Sequence, residues 1–359
     1  MKFVKNFSSF SLSRSPYQGS RVAAQQRGYS SAKHLATFSY SRQSPASLNS
    51  TTLGNSRYTS HRLARAFATM PNRNSKSDRS AGNPEGTITT SITILPSKNP
   101  VATITISRPA KLNALNSHLL TSLPSMIQTL TSTHPNLLAI VLTGAGPKSF
   151  IGGADIAEMA AISPSPAAAR VFIQKVHAAC KSIRDCPVPV IGRINGLALG
   201  AGLEIAASCD IRVASSNALL GMPETRMGVP SVVEAALLPG LIGWGRTRRM
   251  LLLGETIGAR EALEWGLVEK VVEPEELDEA VAVWVDSLEK SGIAAVRNQK
   301  ELIGKWERMG VNEAIEAGID HFGRAFEADG KGVGGEEGSE TEPGRMMGEF
   351  LRRKRGTKL

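Results

Sequence analysis

Three runs in the middle of the chain limit what it can fold into: "LLAIVLTG" (137–144), "VPVIGRI" (188–194) and "CDIRVAS" (209–215). Each is short, apolar and rich in β-branched residues. The first is continuous, as a strand buried on both faces would be. Between them lie stretches of helical length, near 166–183 and in "LALGAGLEIAASCD" (197–210). Strand, crossover helix and strand in succession predict an α/β fold. Upstream, "TITTSITIL" (87–95) and "VATITIS" (101–107) alternate β-branched residues and predict a hairpin, and 117–132 predicts a helix. From about 231 to 327 the pattern is mostly helical. A Gly/Glu-rich insert at 330–344 precedes a short last helix ending in "RRKRGTKL".

Charge divides the chain. The formal net charge is +10, yet residues 1–77 hold no Asp or Glu, the first acid being Asp78. The 42 basic residues divide into 12 in that stretch and 30 beyond it, against 32 acids, a balance of −2 for the rest. A body so close to neutral has no broad basic field for nucleic acid. The leader is rich in Ser and Arg and lacks an apolar h-region, the composition of a mitochondrial transit peptide. "RLARAFATM" (62–70) resembles a matrix-protease site, and the final "TKL" loosely resembles a peroxisomal tripeptide. A mitochondrial matrix location is therefore expected, with the peroxisome as alternative. Cys180, Cys186 and Cys209 are too few and too odd in number for a disulfide framework. No run of 18 apolar residues occurs, so no membrane span is expected.

Conventional catalytic signatures are missing. "GAGPKS" (144–149) does not meet phosphate-loop spacing, no G-x-G-x-x-G follows a strand, and no G-x-S-x-G or HExxH occurs. The six His show no partner pattern and are expected in core or surface roles. What remains is backbone turns and carboxylates. "KSFIGGADIAEM" (148–159) runs from a strand end into a helix, with Asp155 and Glu158 at capping-box spacing. "GLALGAGLE" (196–204) makes a second such turn. Helix starts leave N–H groups without intrahelical partners, and two such turns can aim two donors at one oxygen on which charge develops. On spacing alone, glycine turns made for close packing explain the pattern equally well.

"INGLALGAGLEIAASCDIRVAS", "FIGGADIAEM", "RPAKLNALN" and "GMPETRMGV", in one chain, resemble the crotonase superfamily of enoyl-CoA hydratases and isomerases. The resemblance runs from about 87 to 327 and resumes in "MMGEFLRRKR". It implies an α/β spiral of ββα units, with a helical C-terminal region that builds trimers. It also implies an acyl-CoA ligand, with no metal or redox cofactor. On this reading 1–67 is a disordered transit peptide, 68–86 a polar linker, 87–285 the core with the acyl-CoA site, and 286–359 the helical C-terminal region.

By resemblance, the backbone N–H groups of Ala154 and Ala201 match an oxyanion hole that holds the thioester carbonyl as it becomes an enolate. Family members often carry Gly where this chain has Ala201, but only the N–H is needed. Glu204 and Glu224 match the two catalytic glutamates. Paired carboxylates suit hydration of a C=C bond, because water must lose a proton as it attacks Cβ while Cα gains one. Glu204 is assigned to the water and Glu224 to Cα, with pKa values split by proximity and burial. Ala110, Lys111, Leu112, Gly153, Asp155, Ile156 and Gly200 match the substrate- and CoA-binding segments. The implied activity is an enoyl-CoA hydratase of fatty-acid or branched amino-acid breakdown, assembled as a homotrimer or dimer of trimers. A Δ3,Δ2-enoyl-CoA isomerase is the alternative, and a non-catalytic RNA-binding relative a further one. One segment departs from the family: "VPSVVEAALLPGLIG" (229–243) stands where glycines are usual. There Glu234 adds a third carboxylate, which either faces solvent on a helix or points inward and alters water placement and substrate choice.

Overall fold

Alternating strands and helices sort the chain into two sheets with one repeated step, in a computed structural model that describes residues 85–327 and 341–356. The expected hairpin forms from β1 (Thr87–Ile94) and β2 (Pro100–Ser107), paired antiparallel from Thr87 opposite Ser107 to Ile94 opposite Pro100. Next come helix α1 (Ser117–Thr133), strand β3 (Ala139–Gly144), strand β4 (Ser149–Ile151), and helices α2 (Ile156–Ile162) and α3 (Pro166–Arg184). Strand β5 (Val190–Ile194), strand β6 (Leu197–Leu199), helix α4 (Ala201–Ser208), strand β7 (Ile211–Ser215) and strand β8 (Leu219–Gly221) follow. Later elements are helix α5 (Leu238–Leu253), strand β9 (Thr256–Gly258), helix α6 (Ala259–Trp265), strand β10 (Lys270–Val272) and helices α7 (Leu277–Glu289), α8 (Ile293–Trp306), α9 (Val311–Arg324) and α10 (Glu342–Gly356).

The six-stranded sheet runs β1-β2-β3-β5-β7-β10 and the four-stranded sheet β4-β6-β8-β9. β3, β5 and β7 lie in the large sheet, and the strands that follow them, β4, β6 and β8, lie in the small one. Each turn of the chain thus gives one strand to each sheet before a helix returns it, which is the expected ββα spiral. Apart from β1 with β2 and β8 with β9, all pairs are parallel. β3 is buried along its whole length, as its continuous apolar run predicts.

Two buried asparagines fix the corners between the sheets. Asn195, between β5 and β6, donates to the carbonyls of Gly144 (3.0 Å) and Ser149 (3.1 Å) and accepts from Gly144 N–H (3.2 Å). Asn113 donates to Ala145 O (3.0 Å) and Ser149 O (2.8 Å). With these corners held, β4 and β6 end side by side and aim their following turns in the same direction.

Helix α4 is buried at all eight positions. A helix apolar on every side belongs inside a protein, and this one carries a single acid, Glu204. Gly202 lets it approach β4, since a Cβ there would lie 2.0 Å from the Ile151 carbonyl. Helix α5 is interrupted at Gly243.

Helices α7 to α10 form the helical C-terminal region. Lys300 of α8 is tied to the core by Asp210 (2.7 Å) and the carbonyls of Ile183 and Val188. By contrast, α9 exposes Val311, Ile315, Ile319 and Phe322, spaced along one face. Among the described residues no helix is long and apolar enough to cross a membrane. The leader 1–67, nearly all of the linker, most of the Gly/Glu-rich insert and the terminal "TKL" lie outside the described residues.

Candidate active site

The turn after β4 and the turn after β6 open onto one cavity of about 400 Å³. Gly152, Gly153 and Ala154 line it from the first turn, and Gly200 and Ala201 from the second. Ala154 bridges Leu115, but that ladder uses the Gly153 carbonyl (2.8 Å from Leu115 N) and the Asp155 N–H (2.8 Å from Leu115 O). The Ala154 N–H is left out of the ladder. Ala201 is the first residue of α4, where a helix leaves its N–H without an intrahelical acceptor. Gly200 adopts φ +52, ψ −123, a conformation that favours glycine. A Cβ there would sit 2.5 Å from Glu224 Oε1. The turn that offers a donor is therefore also the turn against which Glu224 rests.

Glu204 and Glu224 both line the cavity. Glu204 is buried, and its Oε1 accepts from the Ala235 N–H at 3.1 Å. Burial first, opposed by that N–H and reinforced by the charges of Glu224 and Glu234, pushes its pKa up to about 8. Glu224 is half-buried and accepts from the Ser231 hydroxyl at 2.9 Å. The rest of the lining is mostly apolar, with Arg170 of α3 its one basic residue among the described residues. Helix α3 contributes Ala169, Phe172, Ile173 and Val176, with Met159 and Ile162 from α2 and Val229, Pro230 and Val232 from the chain after Glu224.

The arrangement brings two backbone donor turns, two carboxyl groups and an apolar lining together in one cavity. Comparison with known proteins agrees. Residues 97–340 match the family described as enoyl-CoA hydratase/isomerase. The short-chain-enoyl-CoA hydratase of Clostridium acetobutylicum is 38% identical over 234 residues, 65% of this chain and 88% of that protein. The crotonyl-CoA hydratase of Syntrophomonas wolfei is 36% identical over 234 residues, 65% of this chain and 89% of that protein. The crystal structure of an enoyl-CoA hydratase from Bacillus anthracis superposes with a TM-score of 0.64 at 27% identity, covering 76% of this chain and 96% of that one. The chain belongs to the enoyl-CoA hydratase/isomerase family.

Membership corrects one expectation. These relatives come from bacteria, which have neither mitochondria nor peroxisomes, so the comparison points away from both the mitochondrial location and the peroxisomal alternative.

Within the family framework the expected site residues separate into two groups. Glu204, Glu224, Ala154, Ala201, Gly153, Gly200 and Ile156 all reach the cavity. Ala110 and Lys111 lie in an exposed 3-10 turn (Pro109–Lys111), outside the cavity lining. Leu112, with φ +53, follows them; its carbonyl accepts from Gly152 N–H at 2.8 Å and so braces the first turn from behind. Asp155 is also outside the lining. It caps α2 through Ala157 N–H (2.9 Å) and Glu158 N–H (3.3 Å) and pairs with Arg108. Burial acts to raise its pKa, but the Arg108 guanidinium and the two N–H groups outweigh this and hold it low. The capping box is not closed, because the Glu158 carboxylate bonds Ser117 of α1 instead.

Several neighbours of the acids were not singled out from the sequence. Ser231 and the Ala235 N–H hold the two glutamates, and His177 meets Glu234. The apolar wall had a readable signal: Ala169, Phe172, Ile173 and Val176 form an i, i+3, i+4, i+7 stripe. Glu234 turns inward, only 3% exposed, yet does not line the cavity. It follows Val233, whose φ of +41 is a genuine outlier for a β-branched residue and costs about 1–3 kcal/mol.

Proposed function

We infer that the protein adds water across the 2,3 double bond of a 2-enoyl-CoA thioester. The observation that carries this reading is the meeting of Glu204 and Glu224 with the two donor turns in one cavity. The N–H groups of Ala154 and Ala201 would bind the thioester carbonyl and stabilise the charge that gathers there as the conjugated system is attacked. Glu204, as general base, takes a proton from water while Glu224 supplies one to Cα. A base must be ionised to act, so kcat/KM should rise with pH through the Glu204 value near 8. An acid role for Glu204 would invert that limb.

The apolar wall from α2 and α3 favours an acyl chain over a polar one. Kinship with hydratases named for short-chain and crotonyl substrates supports a short chain. Incubation with crotonyl-CoA, followed by loss of the conjugated thioester absorbance, tests the reading. Persistence of that absorbance, with conversion of a 3-enoyl-CoA to its 2-isomer, would replace hydration by isomerisation.

The exposed apolar face of α9 supports self-association of the C-terminal regions, and sedimentation of the purified protein as a trimer or hexamer would bear this out.

A further inference from the structure

Glu234 has no part in the mechanism above, yet its placement is unusual. It lies in the 3-10 turn Val233–Leu237, one residue before the Ala235 N–H that binds Glu204. Its Oε1 is 2.8 Å from Nδ1 of His177, and its Oε2 is buried without a hydrogen-bond partner. The His177 ring is half exposed, so it joins this buried carboxylate to solvent. His177 sits on α3, one residue after Val176 of the cavity wall. One turn further along, Cys180 senses both acids: burial first, then the charges of Glu234 and Glu204, push its thiol well above the ordinary value.

Two independent observations give this cluster a purpose. A buried carboxylate is costly unless its neighbours compensate, and Glu234 is compensated on one oxygen alone. In addition, the backbone immediately before it is strained at Val233. Such strain persists only where the surroundings over-determine it. The bond from α3 to Glu234 is the tether that holds this turn, and the turn carries the donor to Glu204.

We propose that Glu234 and His177 form a positioning pair that holds the turn Val232–Ala235 against Glu204 and sets the charge this carboxyl faces. The proposal rests on the reading of Glu204 as an acid–base group of the hydratase. Other titratable and charged groups face the same space, among them Arg170 of α3, an exposed residue that lines the cavity with Glu204. From the turn after β8, Glu224 faces Glu204, bonded to Ser231; from α3 come His177 and Cys180. The arginines of α5 go elsewhere: Arg246 to the Trp265 carbonyl, Arg248 over the Trp244 ring and Arg249 to Glu255.

The test reads the protonation of Glu204 directly. Infrared titration of the full chain follows the carboxyl C=O band that Glu204→Gln removes, so the readout does not depend on turnover. Glu234→Gln keeps the shape of the side chain and removes its charge. The midpoint should fall, because a like charge leaves a buried neighbourhood, and by less than it falls in Glu224→Gln, whose charge weighs more on Glu204. The corresponding limb of kcat/KM for crotonyl-CoA should move with it. His177→Ala should shift the midpoint in the native background and leave it in place when residue 234 is already Gln. A midpoint unmoved in Glu234→Gln, or a His177→Ala shift equal in both backgrounds, overturns the pair. Wild-type protein that titrates as described but never hydrates crotonyl-CoA would remove the functional reading and leave the pair standing.

Discussion

The two walls of the cavity are built on opposite principles. On one side, the turns Gly152–Gly153–Ala154 and Gly200–Ala201 present bare backbone, and side chains have been removed to let it through. On the other, the chain after Glu224 crowds Val229, Pro230 and Val232 into the lining, and directly behind them stand Val233, forced to positive φ, and the buried Glu234. The difference follows from what each wall must do. A donor N–H needs only access and orientation, which glycine supplies without strain. An acid held near neutrality needs a low-dielectric surrounding and like charges close by, and both must be compensated by neighbouring contacts.

Removing the acids breaks the comparison most severely. Glu204→Gln and Glu224→Gln keep volume and shape, so each should fold as the wild type does and lose about 10²–10⁴-fold in kcat. If one water serves both groups, the double variant should lose much less than the product of the single losses. Steady-state hydration rates, with circular dichroism as a folding control, decide this, and a wild-type rate in either variant would remove that glutamate from the mechanism.

Gly200→Ala attacks the opposite wall. The added methyl meets Glu224 Oε1 at 2.5 Å and must accept φ +52. Strain of about 1–3 kcal/mol is expected. Because the methyl also displaces Glu224, kcat should fall by at least about tenfold, more than thermal stability alone would suggest. A variant with lowered melting temperature but normal kcat would show that Glu224 does not depend on this turn.

A smaller effect separates the walls by pH. Glu204 holds its proton to about 8 when folded, against an ordinary value of 4.5. As pH rises between those values the unfolded chain releases this proton first, so the native state loses stability across that window and no further above it. Glu204→Gln lacks this loss. Its melting temperature should draw ahead of the wild type from about pH 5 to pH 8 and then run parallel. A constant gap across that range would mean that Glu204 is not perturbed.

Lys111→Ala should have the least effect. It is exposed and outside the cavity lining, so loss of a surface contact to a CoA phosphate would cost up to about 1 kcal/mol. KM should rise about fivefold or less, with kcat unchanged. A larger or kcat-directed effect would place this lysine in the site after all.

Much of the framework was written in local pattern. The β1–β2 hairpin, helix α1 and helix α3 follow from periods of two and of 3.6 residues and the fully buried β3 from a continuous apolar run, all of which act within a few residues of chain. The Asp155 cap and the start of α4 at the Gly200 turn are likewise local, so their spacing was enough to find them. With the family resemblance added, the same spacing pointed to both glutamates.

Contacts between distant residues were another matter. Glu158 had the spacing to close its own capping box, but the helix α1 that packs beside it offers Ser117, 41 residues away. Glu234 could have faced solvent, but α3 brings His177 to it across 57 residues. The Ala235 N–H reaches Glu204 across 31. In each case the local sequence allowed two outcomes, and the choice fell to a partner that only the packed helices and turns supply. The sequence by itself determined which acids the chain carries and where its turns expose backbone. The tertiary structure decided which acid is buried, which N–H meets it and which charge stands behind it, because dielectric and Coulomb interactions depend on distance in space and not on separation along the chain.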